Sequence, residues 1–195
     1  DLMARAASGR ADDLLTSTLL TARCPVLFVP AMHTEMWEHP ATQANVSTLR
    51  EHGATVMTPA SGRLTGVDTG AGRLPDPQEI SLLGELLLDR PDALPYDLAG
   101  VKFLISAGGT REPLDPVRYL GNRSSGKQGY ALARAAAQRG AQVTMVAGAT
   151  SNLPDPAGVE IIRIATAAQL SDEMGKRAPE TDVVIMAAAV ADFRP

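Results

Sequence analysis

From residue 101 onward the chain alternates short apolar, β-branched runs with stretches of helical spacing, and few folds can bury that pattern. Parallel strands need a crossover to return to the same edge, so such an alternation implies a parallel sheet with helices on its faces. The expected strands are 101–107, 142–147, 159–164 and 182–187; the expected helices are 128–139, stopped by Gly140, and 167–178. Thr166 and Gln169 form a capping-box pair at the start of the last helix. A second alternation precedes it: a helix over 11–21, a strand over 26–29, an amphipathic helix over 42–52 ended by Gly53, and a strand over 54–57. A helix over 77–88 then carries Leu82, Leu83, Leu86 and Leu87 on one face. The two prolines and glycine of 89–100 mark a connection between these blocks. The fold class is therefore α/β.

Ligands of open parallel sheets bind beyond the carboxyl ends of the strands. Three loops follow strands in the second block. Gly108, Gly109 and Thr110 come directly after the first strand, where a sharp turn would leave amides free for anionic oxygens. Arg111, Arg118, Arg123 and Lys127 follow, with the neutral hydrogen-bonding group of Asn122 among them. Ser124, Ser125 and Gly126 stand where a helix N-terminus would present unpaired amides. Residues 148–152 follow another strand, and Met186, Ala187, Ala188, Ala189 and Asp192 lie at the end of the last. The small alanines admit a planar base close to backbone, and Asp192 can accept from a ribose or amino group. A phosphorylated ligand or nucleotide fits this surface. The bland alternative is a Gly/Ser loop that caps a helix, with the alanines packing under another.

Residues 121–127, GNRSSGK, match the first seven positions of a P-loop, but Gln128 stands where that motif needs Ser or Thr for magnesium. Residues 113–120, with two prolines and two charges, do not read as the strand a P-loop requires. No GxGxxG turn follows residue 107 either. Composition narrows the class further. In 195 residues, 45% hydrophobic content supplies a core, and 4% aromatic content makes that core aliphatic. A single cysteine, Cys24, excludes an internal disulfide and reads as a small buried apolar residue. A formal charge of −4 argues against broad nucleic-acid binding, and no run is long enough to span a membrane, so a cytoplasmic location is expected.

The segment 108–129 resembles the signature loop of phosphopantothenoylcysteine synthetase, and AAAVADF at 187–193 resembles that family's second nucleotide-contacting segment. PAMHTEMW at 30–37 and SGRLTGVDTGAGRL at 61–74 resemble the substrate motif and flap of the flavin-dependent phosphopantothenoylcysteine decarboxylases. The two enzymes are often fused in this order in bacteria. The resemblance implies two Rossmann-like three-layer α/β/α units with mainly parallel sheets, both incomplete in this chain. Residues 1–90 would be the C-terminal part of the decarboxylase, 91–99 a linker, and 100–195 the N-terminal part of the ligase.

It also implies coenzyme A biosynthesis: CTP-dependent ligation of 4′-phosphopantothenate with cysteine through an acyl-cytidylate, then decarboxylation with FMN. Mg2+ would accompany the triphosphate. Asn122 and Arg118 would be the catalytic residues, and Gly108, Gly109, Thr110, Ser124, Ser125, Gly126, Met186, Ala187, Ala188, Ala189 and Asp192 would hold the nucleotide. Ala31, Met32, His33 and Met36 would hold the decarboxylase substrate, although His33 departs from the asparagine of the usual PXMNxxMW motif. His33 also has a purely structural reading, and Met36 and Trp37 one as core. In the flap, Gly66 stands where a cysteine is common, leaving Thr65 or Asp68 as candidate proton sources and the choice open. The ligase family's lysine-rich segment and the decarboxylase family's catalytic histidine fall outside this sequence, so the fragment alone is expected to be inactive. Trimers through the first block and dimers through the second are the implied assembly. Two other readings remain: a different flavin-dependent cysteine decarboxylase, or a non-catalytic nucleotide-binding or assembly module.

Overall fold

The structure, a computed structural model, describes residues 1–64 and 69–193. The chain divides into two compact units, Asp1–Pro95 and Tyr96–Pro195. The boundary falls inside the stretch expected as a connection. Tyr96, Asp97 and Leu98 belong to the second unit: Asp97 forms a bidentate pair with Arg139, and the Leu98 amide donates to the Arg139 carbonyl.

In the first unit, helices α1 (Leu2–Ala7) and α2 (Leu14–Thr21) precede strand β1 (Leu27–Phe28). Helix α2 starts three residues later than its spacing suggests. Asp13 accepts from the Thr16 amide and forms a reciprocal capping box, which fixes the start there. Strand β1 is shorter than the expected 26–29 and pairs in parallel with β2 (Thr55–Val56). Between them lie α3 (Thr34–Glu38) and α4 (Pro40–Glu51). Helix α3 was not legible in PAMHTEMW because five residues carry too little periodicity. Proline at the first position of α4 and the His39 ring, which accepts from the Ala41 amide, set its start. Phe28, Trp37, Val46, Leu49 and Val56 form the core.

The hairpin of β3 (Ala60–Arg63) and β4 (Thr69–Arg73) follows, and then α5 (Pro77–Asp89). The candidate flap residues Thr65, Gly66 and Asp68 lie outside the described residues. On α5 only part of the expected leucine face is buried. Leu83 and Leu87 are buried, Leu86 is half-buried and Leu82 is exposed. Leu82 sits about 100° around the helix from Leu83, which places it at the margin of the face. Cys24 is exposed rather than buried, in the bend between Arg23 and Pro25.

The second unit is built on β5 (Lys102–Ala107), β8 (Gln142–Ala147), β9 (Val159–Arg163) and β10 (Val183–Met186). All pair in parallel, in the order β10-β5-β8-β9. Helix α6 (Lys127–Gln138) covers one face and α7 (Ala167–Arg177) the other. Alternation along the strands explains this. Ile105, Ala107, Val143, Met145 and Ala147 pack with Tyr130, Ala133, Ala136 and Ala137 of α6. Leu104 and Val146 point the other way, onto Leu170 and Met174 of α7. Leu104, Ile105, Met145 and Val146 are essentially inaccessible, each stabilising the fold by about 1.5–3 kcal/mol through burial. The α/β class expected from sequence is thus the one found: mainly parallel sheets flanked by helices.

Within 113–120, which does not read as the strand a P-loop requires, Pro113, Tyr119 and Leu120 belong to a short antiparallel hairpin of β6 (Arg111–Pro113) and β7 (Tyr119–Gly121). Asp115 makes the turn: its carboxylate accepts from the Val117 and Arg118 amides and from the Arg118 guanidinium. Both prolines sit where they cost no ladder bond, Pro116 in the turn and Pro113 at the end of β6.

Candidate functional site

The strand order of the second unit reverses beside β5. The chain moves outward from β5 to β8 and β9, then returns to place β10 on the opposite side. In open parallel sheets such a reversal is where a ligand crevice forms, here at the carboxyl ends of β5 and β10. Gly108, Gly109 and Thr110 line it from one strand and residues 187–192 from the other.

Close approach of backbone defines the crevice. Gly108 has φ +79°, and a Cβ there would lie 2.6 Å from the Ala149 carbonyl oxygen. A Cβ on Gly148 would lie 2.4 Å from the Gly109 carbonyl oxygen, and one on Gly109 2.9 Å from that of Asn122. Gly126, at φ +76°, caps α6 with its backbone beside Thr150 and Gly108. Gly129, one turn into the helix, would set a Cβ 2.5 Å from that of Ala107. The sequence therefore folds this way only because these positions carry no side chain. Gly126, the N-cap, has no side chain to cap α6, and beyond Lys127 the first-turn amides remain directed outward. Ser124 and Ser125 accept weakly from the Gly126 and Lys127 amides.

The turn after β5 differs from its expected chemistry. The Gly109 amide donates to Ala149 at 2.8 Å and the Thr110 amide to Ala189 at 3.1 Å, so neither is free for an anion. Antiparallel and parallel bridges to Ala149 and Ala189 absorb them. Available donors lie instead at the start of α6. Arg111 and Arg118 are also engaged within the hairpin, Arg111 over the Tyr119 ring at 4.6 Å and Arg118 on Asp115. The Val117 amide, then the Arg118 guanidinium, hold the Asp115 carboxyl below its ordinary range. Arg123 and Lys127 are exposed.

Asn122, at the end of β7, donates from Nδ2 to the Val190 carbonyl at 2.9 Å. It thereby joins the 108–126 segment to the loop after β10. Asp192 is exposed beside it and makes no hydrogen bond among the described residues, while Met186 is 63% exposed at the end of β10. Ser106 was not singled out in the sequence. It is fully buried, and its Oγ accepts from the Ala187 and Ala188 amides at 3.0 and 3.1 Å. Thr110 does the same for Ala191 at 2.8 Å. The one signal for Ser106 was a hydroxyl inside an otherwise apolar run, residues 103–107.

In the first unit, Ala31, Met32 and His33 line a cavity of about 350 Å3 with Arg63, Leu64, Gly72, Arg73 and Leu74. The Met32 amide donates to the Gly72 carbonyl at 2.9 Å, and a Cβ on Gly72 would lie 2.1 Å from the Met32 oxygen. His33 is exposed and does not cap α3 with its ring. Met36 is 56% exposed and does not line this cavity, whereas Trp37 is core.

A parallel sheet covered by helices on both faces, and a separate unit with a parallel strand pair, a hairpin and a cavity, define a two-part α/β protein. Residues 98–195 match the family described as DNA/pantothenate metabolism flavoprotein C-terminal domain, and residues 1–83 match the flavoprotein family. The chain belongs to the DNA/pantothenate metabolism flavoprotein family. It is 71% identical over 195 residues to the coenzyme A biosynthesis bifunctional protein CoaBC of Mycobacterium tuberculosis, covering all of this chain and 47% of that protein. To the protein of the same name from Vibrio parahaemolyticus it is 45% identical, again over 100% of this chain and 47% of the relative. A cysteine/cysteine sulfinic acid decarboxylase from an unidentified prokaryote is 42% identical over 97% of the chain and 53% of that protein. The chain thus spans about half the length of the curated relatives it matches.

Proposed function

We propose that this chain forms the adjoining parts of two enzymes of coenzyme A biosynthesis, a CTP-dependent phosphopantothenate–cysteine ligase and an FMN-dependent phosphopantothenoylcysteine decarboxylase. Residues 1–90 belong to the decarboxylase, 91–99 link the two, and 100–195 belong to the ligase. The observation that carries this reading is the meeting of residues 108–110, 122–126 and 187–192 at one strand reversal, with an uncapped helix start beside them. Similarity to two proteins named for coenzyme A biosynthesis along the whole chain supports it.

In the ligase half the carboxylate of 4′-phosphopantothenate attacks the α-phosphorus of CTP, the bond to the β-phosphate oxygen breaks, and pyrophosphate leaves. The amine of cysteine then attacks the acyl carbonyl, loses a proton, and CMP departs. Charge builds on phosphate and then on the acyl oxygen, so placed donors matter more than a protein nucleophile. The amides at the start of α6 serve the phosphates, and the carbonyl groups of 187–189 serve the base, the amides there being bonded to Ser106 and Gly108. Asn122 has one Nδ2 hydrogen on Val190 and a second for the acyl oxygen. Arg118, released from Asp115, reaches the phosphopantothenate. Mg2+, when bound with CTP, would offset the triphosphate charge.

In the decarboxylase half the described residues that line the cavity are apolar and basic, with no carboxylate among them, which suits an anionic substrate. FMN, when bound, supplies the oxidation of the cysteinyl thiol that lets carbon dioxide leave. His33 holds the substrate carboxylate, and Ala31 and Met32 wall the cavity. Assembly through trimers of the first half and dimers of the second, in the cytoplasm, accords with this reading; no helix among the described residues is long and apolar enough to cross a membrane.

The full-length protein containing this chain, given CTP, 4′-phosphopantothenate and cysteine, is expected to release CMP and pyrophosphate in step with product. It should bind CTP more tightly than ATP, because the wrong base leaves buried polar groups unpaired at about 1–3 kcal/mol each. Absence of CMP under these conditions sinks the ligase assignment. A second reading, a flavin-dependent decarboxylase of cysteine, is favoured by the 42% identical relative. Carbon dioxide released from free cysteine without CTP would decide for it.

A further inference from the structure

Arg73 is one residue beyond the tightest contact in the first unit. The Gly72 carbonyl receives the Met32 amide at 2.9 Å, and Gly72, at φ +145°, is the only kind of residue that admits that approach. The base of the Arg73 side chain is therefore fixed against the 31–33 segment. Its stem lies across Gly62 of the facing strand: a Cβ on Gly62 would meet the Arg73 Cδ at 3.8 Å and a guanidinium nitrogen at 3.6 Å, ordinary packing distances. The Arg73 side chain thus packs along the facing strand at Gly62.

Arg73 and His33 both line the cavity of about 350 Å3. Arg63 lines it too, but has a partner of its own. Arg73 forms no salt bridge among the described residues, unlike Arg5, Arg10, Arg118, Arg139, Arg163 and Arg177. The ring of His33 also makes no hydrogen bond among them. A forked donor and an imidazole, both uncommitted among the described residues, therefore stand at one cavity that none of the described carboxylates lines. A guanidinium presents parallel N–H groups matched to carboxylate or phosphate oxygens.

We propose that Arg73 is an anion-binding residue of this cavity, which together with His33 holds an acidic group of the substrate. The inference rests on the decarboxylase reading of the first unit and adds to it a residue and a ligand class. The substrate proposed there carries a carboxylate and a phosphate monoester, and the guanidinium suits either.

The test measures binding to the full-length protein by calorimetric titration with phosphopantothenoylcysteine, with pantothenoylcysteine, which lacks the phosphate, and with 4′-phosphopantetheine, which lacks the carboxylate. Arg73→Gln is expected to weaken phosphopantothenoylcysteine about tenfold and Arg73→Lys to restore part of the loss, with an unchanged thermal midpoint for both. If Arg73 holds the phosphate, the loss disappears with pantothenoylcysteine; if it holds the carboxylate, it disappears with 4′-phosphopantetheine. Undiminished affinity of Arg73→Gln for phosphopantothenoylcysteine overturns the proposal, as does an equal loss for all three ligands. Failure of the unsubstituted protein to bind phosphopantothenoylcysteine would instead overturn the decarboxylase reading itself, and this proposal with it.

Discussion

At the residue scale, the side chains that shape the second unit's crevice divide into those that face a ligand and those that hold the backbone. Asn122 holds backbone, its Nδ2 reaching the Val190 carbonyl from an exposed position, and in the proposed ligase it also faces the substrate. Asn122→Asp exchanges that donor for an acceptor and sets a carboxylate against a carbonyl. In the full-length enzyme we expect nucleotide affinity within about threefold of normal and turnover reduced at least about a hundredfold, a transition-state loss of about 2.7 kcal/mol. Unchanged turnover would remove Asn122 from the acyl site. Ser106 only holds backbone. Ser106→Ala deprives the Ala188 amide of its acceptor, while Ala187 keeps the Ser106 carbonyl. Chemical denaturation should show a loss of about 1 kcal/mol, with nucleotide binding weakened in parallel. Asn122 was legible because it stands in a polar, glycine-bounded loop. Ser106 was not, because its function is visible only once β10 lies beside β5.

At the scale of elements, legibility followed length. Helices α6 and α7 and strands β5, β8 and β9 were readable because each carries a full period of burial and a recognisable stop or cap, such as Gly140 or Thr166. The β6–β7 hairpin and α3 were not, since three to five residues display no period and turn chemistry at Asp115 decides the matter. The start of α2 shows the same dependence on a cap, and it titrates. Bonds from the Thr16 amide and hydroxyl, then from Arg5, lower the Asp13 pKa from 3.8 to about 2. A depressed carboxylate contributes stability above its unfolded value, and that contribution is lost as pH falls through the folded one. Amide exchange at residues 14–17 should therefore quicken as pH is lowered from about 3.8 toward 2, beyond the intrinsic trend. Asp13→Asn keeps the cap without the charge and should flatten this response. An identical response in that variant would assign it to other groups.

For the whole molecule, the sequence disclosed two α/β blocks and the order of their strands, but not which strands would be neighbours. Strand order emerges from packing: β10 returns beside β5 because its alternating residues and the Ser106 hydroxyl meet there. The same limit explains why the turn after β5 was expected to offer free amides. Only the bridges to Ala149 and Ala189 consume them, and these come from residues forty and eighty positions further on. The fastening of residues 96–98 to the end of α6 has a further consequence. Asp97 grips Arg139 at the carboxyl end of this helix, while its amino end faces the crevice, about 18 Å away for twelve residues. Severing the peptide chain between Asp92 and Pro95 should accordingly leave CTP affinity of the second unit as it was, measured on the nicked full-length protein. A protease would thus find the two units divisible at a place that the strand ends of the second do not feel.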